Sequence, residues 1–168
     1  DTGGGNYTSL SGRGIGVIVR LNYNHNAQGT IPHSSRYEDF AKRCANFVRS
    51  SQGCRIWIIG NEPNLANERP VAPPETITPE LYARCYRLCR RAIHAVDAQA
   101  QVLVAGVAPW NIETGDWIEY FASVLRFVTG ECDGFALHTY GRSSDPATVT
   151  SAETMDPPYN RYNKQFPT

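Results

Sequence analysis

An asparagine, a glutamate and a proline follow one another where an apolar run stops. The run is Ile56-Trp57-Ile58-Ile59-Gly60-Asn61-Glu62-Pro63-Asn64. It reads as a buried parallel strand whose carboxyl end delivers one amide and one carboxylate into a loop. A carboxylic acid held there can protonate a leaving-group oxygen as a bond breaks, then return as a base to activate water. Read without that strand, Asn61-Glu62-Pro63 is an ordinary loop turn.

Three further polar clusters stand at the ends of apolar runs. Asp133-Gly134-Phe135-Ala136-Leu137-His138-Thr139-Tyr140 alternates, and a period of two puts His138 and Tyr140 on one side of a strand. Arg20, Asn22, Tyr23, Asn24 and His25 close the run that starts at Ile15. Trp110 follows Ala108-Pro109 and offers a broad ring for stacking, or for packing beneath a loop.

The elements that must position these groups alternate between strand and helix. Ile15 to Leu21, Cys54 to Gly60, Gln101 to Val107 and Asp133 to Tyr140 read as strands. The near-continuous apolar character of the second suits a strand covered on both faces. Ser35 to Ser50 has a helical apolar period through Tyr37, Phe40, Ala41, Cys44, Phe47 and Val48. Thr78, Pro79 and Glu80 start a second helix, with Leu81, Cys85, Leu88, Ala92 and Val96 as its apolar stripe. A third runs from about Asp116 to Val128, with Trp117, Phe121, Val124, Leu125 and Val128 inward. Such alternation predicts an α/β fold with parallel strands. Residues 1–14 read as a flexible N-terminal segment, and residues 142–168 as an extended, proline-containing tail.

The charge balance, 16 basic against 16 acidic residues in a chain of 168, favours neither nucleic acid nor a membrane surface as partner. No apolar run approaches the roughly 20 residues that span a bilayer. The five cysteines, Cys44, Cys54, Cys85, Cys89 and Cys132, read as small buried hydrophobes. Neither they nor the histidines show metal-ligand spacing, and no cofactor is expected. Gly12-Arg13-Gly14-Ile15-Gly16 precedes a strand, which argues against a dinucleotide fingerprint.

Asn61-Glu62-Pro63 after the apolar run resembles the fourth strand of the retaining glycoside hydrolase clan built on (β/α)8 barrels, which includes the cellulase-like family 5. His138-Thr139-Tyr140 is similar to the sixth strand of that clan. The resemblance covers about Ile15 to Gly141 and implies a single partial TIM-barrel domain, with four strands corresponding to the third to sixth of eight. It implies hydrolysis of β-linked glycans, with Glu62 as general acid/base and Asn61 hydrogen-bonding the sugar 2-hydroxyl. It also implies sugar contacts from His138, a Tyr140 contact to the nucleophile carboxylate, and weaker matches for His25 and Trp110 as substrate-binding residues. The expected partners are an oligo- or polysaccharide and the remainder of the barrel, and a secreted or extracellular setting suits that substrate.

One departure bears on activity. The clan's nucleophile ends the seventh strand, and the expectation is that these 168 residues lack it. Glu113 and Asp116 follow the wrong strand, and no strand precedes Glu153 or Asp156. Negligible glycosidase turnover is therefore expected of the 168 residues by themselves. The competing readings are a carbohydrate-binding or degenerate barrel domain without catalysis, and an unrelated α/β domain in which Asn-Glu-Pro is incidental.

Overall fold

The computed structural model describes residues 3–25, 27–109, 111–139 and 145–149. The chain divides into two compact units, Asp1–Leu137 and His138–Thr168. The first unit contains α1 (Thr8–Ser11), β1 (Ile18–Leu21), α2 (Tyr37–Arg49), β2 (Ile56–Ile59), α3 (Pro79–His94), β3 (Gln101–Val104) and α4 (Trp117–Phe127). Its three strands are parallel, in the order β1-β2-β3.

Register explains the core. Val19, Trp57 and Val102 form one row across the sheet, and Leu21, Ile59 and Val104 the next. Trp57, Ile59, Val102 and Val104 are fully buried. Phe47 of α2 meets Trp57 edge-on, with ring centroids 6.2 Å apart. The opposite row is less covered: Arg20, Ile58 and Leu103 are half-buried or exposed, and Ile18 is 58% exposed. The expectation that β2 is covered on both faces is thus met on one face only.

The helices follow their end signals. Thr78 accepts from the Leu81 amide, Pro79 opens α3, and Asp116 accepts from the Ile118 amide to cap α4. Glu38 and Asp39 begin α2 and Arg49 ends it, complementing the helix dipole. The buried face of α3 is rotated from the expected stripe: Tyr82, Cys85, Tyr86, Cys89 and Ile93 are buried, while Leu81, Leu88, Ala92 and Val96 are half-buried. The tyrosines can enter because their hydroxyls find partners, Tyr82 on the Ile59 carbonyl at 2.8 Å and Tyr86 on the Val102 carbonyl at 2.7 Å. All five cysteines are free. Cys44, Cys85 and Cys89 are buried, and burial pushes the Cys44 and Cys89 thiols well above the ordinary range.

Two expectations change. The N-terminal stretch carries α1 and is tied to the turn after α2, with the Tyr7 amide on the Gln52 carbonyl and the Gln52 amide on the Gly5 carbonyl, both at 2.8 Å. The fourth strand, expected over Asp133 to Tyr140, is reduced to a single parallel bridge, Val104 with Phe135. Phe135 and Leu137 still alternate outward, at 50% and 61% exposure, but among the described residues no strand pairs with them from the far side. Of the second unit, His138, Thr139 and Asp145–Val149 are described, the last with a 3-10 turn at Pro146–Val149.

Asp133 fastens the amino end of β3 to α3. Its carboxylate accepts from Arg90 at 2.6 and 2.9 Å and from the Val102 amide at 2.9 Å, and lies 2.7 Å from His94 Nε2. Burial pushes this carboxyl up, but the hydrogen bonds from Arg90, Val102 and His94 outweigh it and hold it below its ordinary value. A lowered folded value means stability that is complete above the ordinary carboxylate range and lost as pH falls through the folded value. Asp133→Asn is expected to cost about 1–3 kcal/mol near neutral pH. Urea denaturation at several pH values checks this: the difference from the parent should shrink as the solution is acidified below pH 4 or so.

Candidate functional site

β2 ends at Ile59, and the chain turns at once. Gly60 has a φ of 75°, a left-handed conformation in which an added Cβ would also collide with Ile31. Glu62 has a φ of 37°, the one positive value at a non-glycine among the described residues. A side chain in that region costs of order 1–3 kcal/mol, so the surroundings must impose it.

They do so by hydrogen bonds from three loops. The Glu62 amide donates to the Gly106 carbonyl beyond β3 at 3.1 Å, and the Leu65 amide donates to the Glu62 carbonyl at 2.8 Å. Thr30, in the loop after β1, donates its hydroxyl to the Asn61 carbonyl at 3.0 Å. Asn64 is fully buried and exchanges two bonds with Ala108, donating at 2.9 Å and accepting at 2.7 Å. Arg69 adds a bond to the Asn64 carbonyl at 2.7 Å.

The Asn61 side chain is fixed as well. Its Oδ1 accepts from Arg20 Nη1 at 2.6 Å, and its Nδ2 donates to Glu68 Oε1 at 2.8 Å. Arg20, Asn61 and Glu68 thus form a polar relay across the carboxyl ends of β1 and β2. Asn61 is 8% exposed, and Glu62 beside it is half-buried.

The other carboxylates that follow β3 have structural partners. Glu113 accepts from the Ala66 amide at 2.5 Å and pairs with Arg69 at 3.5 Å, linking two strand-end loops. Asp116 caps α4. Among the described residues no group of three or more histidine, cysteine, aspartate or glutamate side chains is arranged to hold a metal ion.

An incomplete, open barrel with its polar groups gathered at the carboxyl ends of parallel strands narrows the comparison. The fold resembles part of a glycoside hydrolase. It is similar to a family 51 α-L-arabinofuranosidase, AbfB, from Bifidobacterium longum, with 15% identity, a TM-score of 0.56, and coverage of 87% of this chain and 28% of that one. A monomeric β-xylosidase from Caulobacter crescentus CB15 is also similar, at 20% identity and a TM-score of 0.47 over 80% of this chain and 29% of that one. The chain spans less than a third of the length of either. No family model and no curated protein matches it. The likeness is distant and partial, and it does not single out family 5.

Of the residues picked from sequence, Asn61 and Glu62 lie together at the end of the central strand. His25 is exposed in the loop after β1, where its Nδ1 lies 3.4 Å from Asn22 Nδ2. His138 is half-buried and begins the second unit. Trp110 and Tyr140 lie outside the described residues, as do Glu153 and Asp156. The bonds made by Thr30, Asn64 and Glu68 have no counterpart in the sequence reading. The repeated asparagine of Asn61-x-x-Asn64 is the local signal that could have pointed to one of them.

Proposed function

We propose that this chain supplies the acid/base side of a retaining, family-5-like glycoside hydrolase acting on β-linked glycans. Glu62 protonates the glycosidic oxygen as the bond breaks, then takes a proton from the water that releases the sugar. Asn61 has two N–H groups, of which one is donated to Glu68. The second is assigned to the sugar 2-hydroxyl, a contact that strengthens in the transition state. Support comes above all from one observation: Asn61 and Glu62 are pinned by three loops at the carboxyl end of the central strand, the end at which barrel enzymes place their chemistry.

Retention needs a second carboxylate about 5–5.5 Å from the first. Glu113 and Asp116 are committed to the loop link and the helix cap, so the nucleophile is assigned to a later strand of a complete barrel. His25, Trp110, His138 and Tyr140 remain the proposed substrate contacts. The test is the first-formed anomer when a complete barrel carrying this unit cleaves a β-glycoside, read by proton NMR. The β-anomer is expected. Initial formation of the α-anomer means inversion and removes the covalent step. Sugar binding with no cleavage by the complete barrel favours the second reading, a carbohydrate-binding domain.

A further inference from the structure

The Asn61 amide has a cation at one end and a carboxylate at the other. Its Oδ1 accepts from Arg20 Nη1 at 2.6 Å, and its Nδ2 donates to Glu68 Oε1 at 2.8 Å. A guanidinium only donates and a carboxylate only accepts, so the amide has one orientation. Turned by half a rotation, it would set its oxygen against Glu68 and its N–H groups against Arg20. Both bonds have a charged partner, which makes them the stronger class of hydrogen bond.

The two partners are anchored independently of the amide. Arg20 lies in β1, in register with Ile58 of β2, on the less covered face of the sheet. Glu68 ends a 3-10 turn, Ala66–Glu68. Its amide donates to the Leu65 carbonyl at 3.1 Å, and its carbonyl accepts from the Thr30 amide at 3.0 Å. The Thr30 hydroxyl, which donates to the Asn61 carbonyl at 3.0 Å, is also 3.4 Å from the Glu68 carbonyl. Thr30 thus ties the backbones of Asn61 and Glu68 together.

This arrangement acts on the Asn61 N–H that Glu68 does not take. Its direction is set, because the amide is planar and is held at both its oxygen and its nitrogen. Its strength as a donor is raised, because the guanidinium on Oδ1 draws electron density from the nitrogen. Asn61 is 8% exposed, so a misdirected N–H there would find little water in place of a lost partner.

We infer that Glu68 is a positioning residue for recognition of the sugar 2-hydroxyl: with Arg20 it fixes the Asn61 amide so that the second N–H is presented to that hydroxyl. The inference rests on the proposed glycoside chemistry. The favoured substrate carries a free hydroxyl at carbon 2 of the sugar whose bond is cleaved.

The test compares kcat/KM of a complete barrel carrying this unit on an aryl β-glycoside and on its 2-deoxy analogue. Glu68→Ala is expected to lose at least about tenfold more on the glycoside than on the analogue, the worth of one hydrogen bond to a charged group. Glu68→Gln, which keeps an acceptor oxygen, is expected to restore most of the difference. In an Asn61→Ala background, Glu68→Ala should add no further selective loss. A role in folding alone would lower both substrates alike, and that result overturns the inference. If Asn61→Ala is selective and Glu68→Ala is not, the inference fails alone. If Asn61→Ala also lowers both substrates alike, the 2-hydroxyl reading of the site fails with it. A second measurement uses the 168-residue chain. Solvent exchange of the Asn61 side-chain N–H protons, identified in NMR spectra by their loss in Asn61→Ala, is expected to quicken at least about tenfold in Glu68→Ala. Exchange at the parent rate in a folded variant overturns the inference.

Discussion

On the proposed acid/base role, Glu62→Gln in a complete barrel is expected to slow hydrolysis of glycosides with poor leaving groups by about 10²–10⁴-fold, the range that general acid catalysis contributes. The loss depends on the leaving group. An alkoxide or sugar leaving group needs its proton during bond cleavage, and glutamine has none to give. A dinitrophenolate is stable as an anion, so its departure is expected to be nearly as fast in the variant. The second step then becomes limiting, because the glutamine cannot deprotonate water. Steady-state kinetics across a series of aryl and alkyl glycosides checks this. A uniform loss in kcat/KM across the series would assign Glu62 to binding, since kcat/KM reports the cleavage step and a group that helps all substrates equally there is not transferring a proton.

Tyr82→Phe is expected to have the largest structural effect for the fewest atoms removed. The β2–β3 register makes the next rung of the ladder a bond from the Ala105 amide to the Ile59 carbonyl. The Tyr82 hydroxyl is inserted in that rung, accepting from Ala105 at 2.7 Å and donating to Ile59 at 2.8 Å. It sets the gap between the two strand ends immediately before Gly60, Asn61 and Glu62. Without it, a buried N–H and a buried carbonyl lose their partners together, at about 2–4 kcal/mol in total. Tyr86→Phe is the internal comparison: it removes one donor from the Val102 carbonyl and should cost about 1 kcal/mol. Denaturant titration of the three proteins measures the difference. Comparable losses for Tyr82 and Tyr86 would mean that the strands close the rung when the hydroxyl is removed.

The inserted hydroxyl also shows where sequence reading stops. The three helices were legible because their end signals are local: Thr78 with Pro79, and Asp116, act within one turn of the residues they cap. The central strand was legible from its run of apolar residues, and with it the place where Asn61 and Glu62 emerge. The buried face of α3 was not, because tyrosine scores as half-polar until its hydroxyl is seen to have a partner, and Tyr82 and Tyr86 find theirs 23 and 16 residues away. The last expected strand failed for a related reason. Alternation marks which residues could face a core, but a strand also needs a neighbour, and Val104 alone bridges to Phe135 among the described residues.

At the site, Asn61 and Glu62 could be picked by type, but their restraint could not. The left-handed Glu62 is maintained by the Gly106 carbonyl and by the turn to Leu65, and Asn61 by Arg20 and Glu68. Arg20 and Gly106 are 41 and 44 residues from their partners, and nothing in their own sequence neighbourhoods names those partners.

The most direct measurement is chemical rescue of Glu62→Ala in a complete barrel, with a dinitrophenyl β-glycoside as substrate and azide as nucleophile. A small anion can enter where the carboxylate was removed and attack the glycosyl-enzyme without needing a base. The account predicts that azide raises the steady-state rate and that the product is the β-glycosyl azide. An α-glycosyl azide would place Glu62 on the nucleophile side of the sugar, and no rescue, with cleavage of activated and unactivated substrates equally affected, would contradict its assignment as the acid/base.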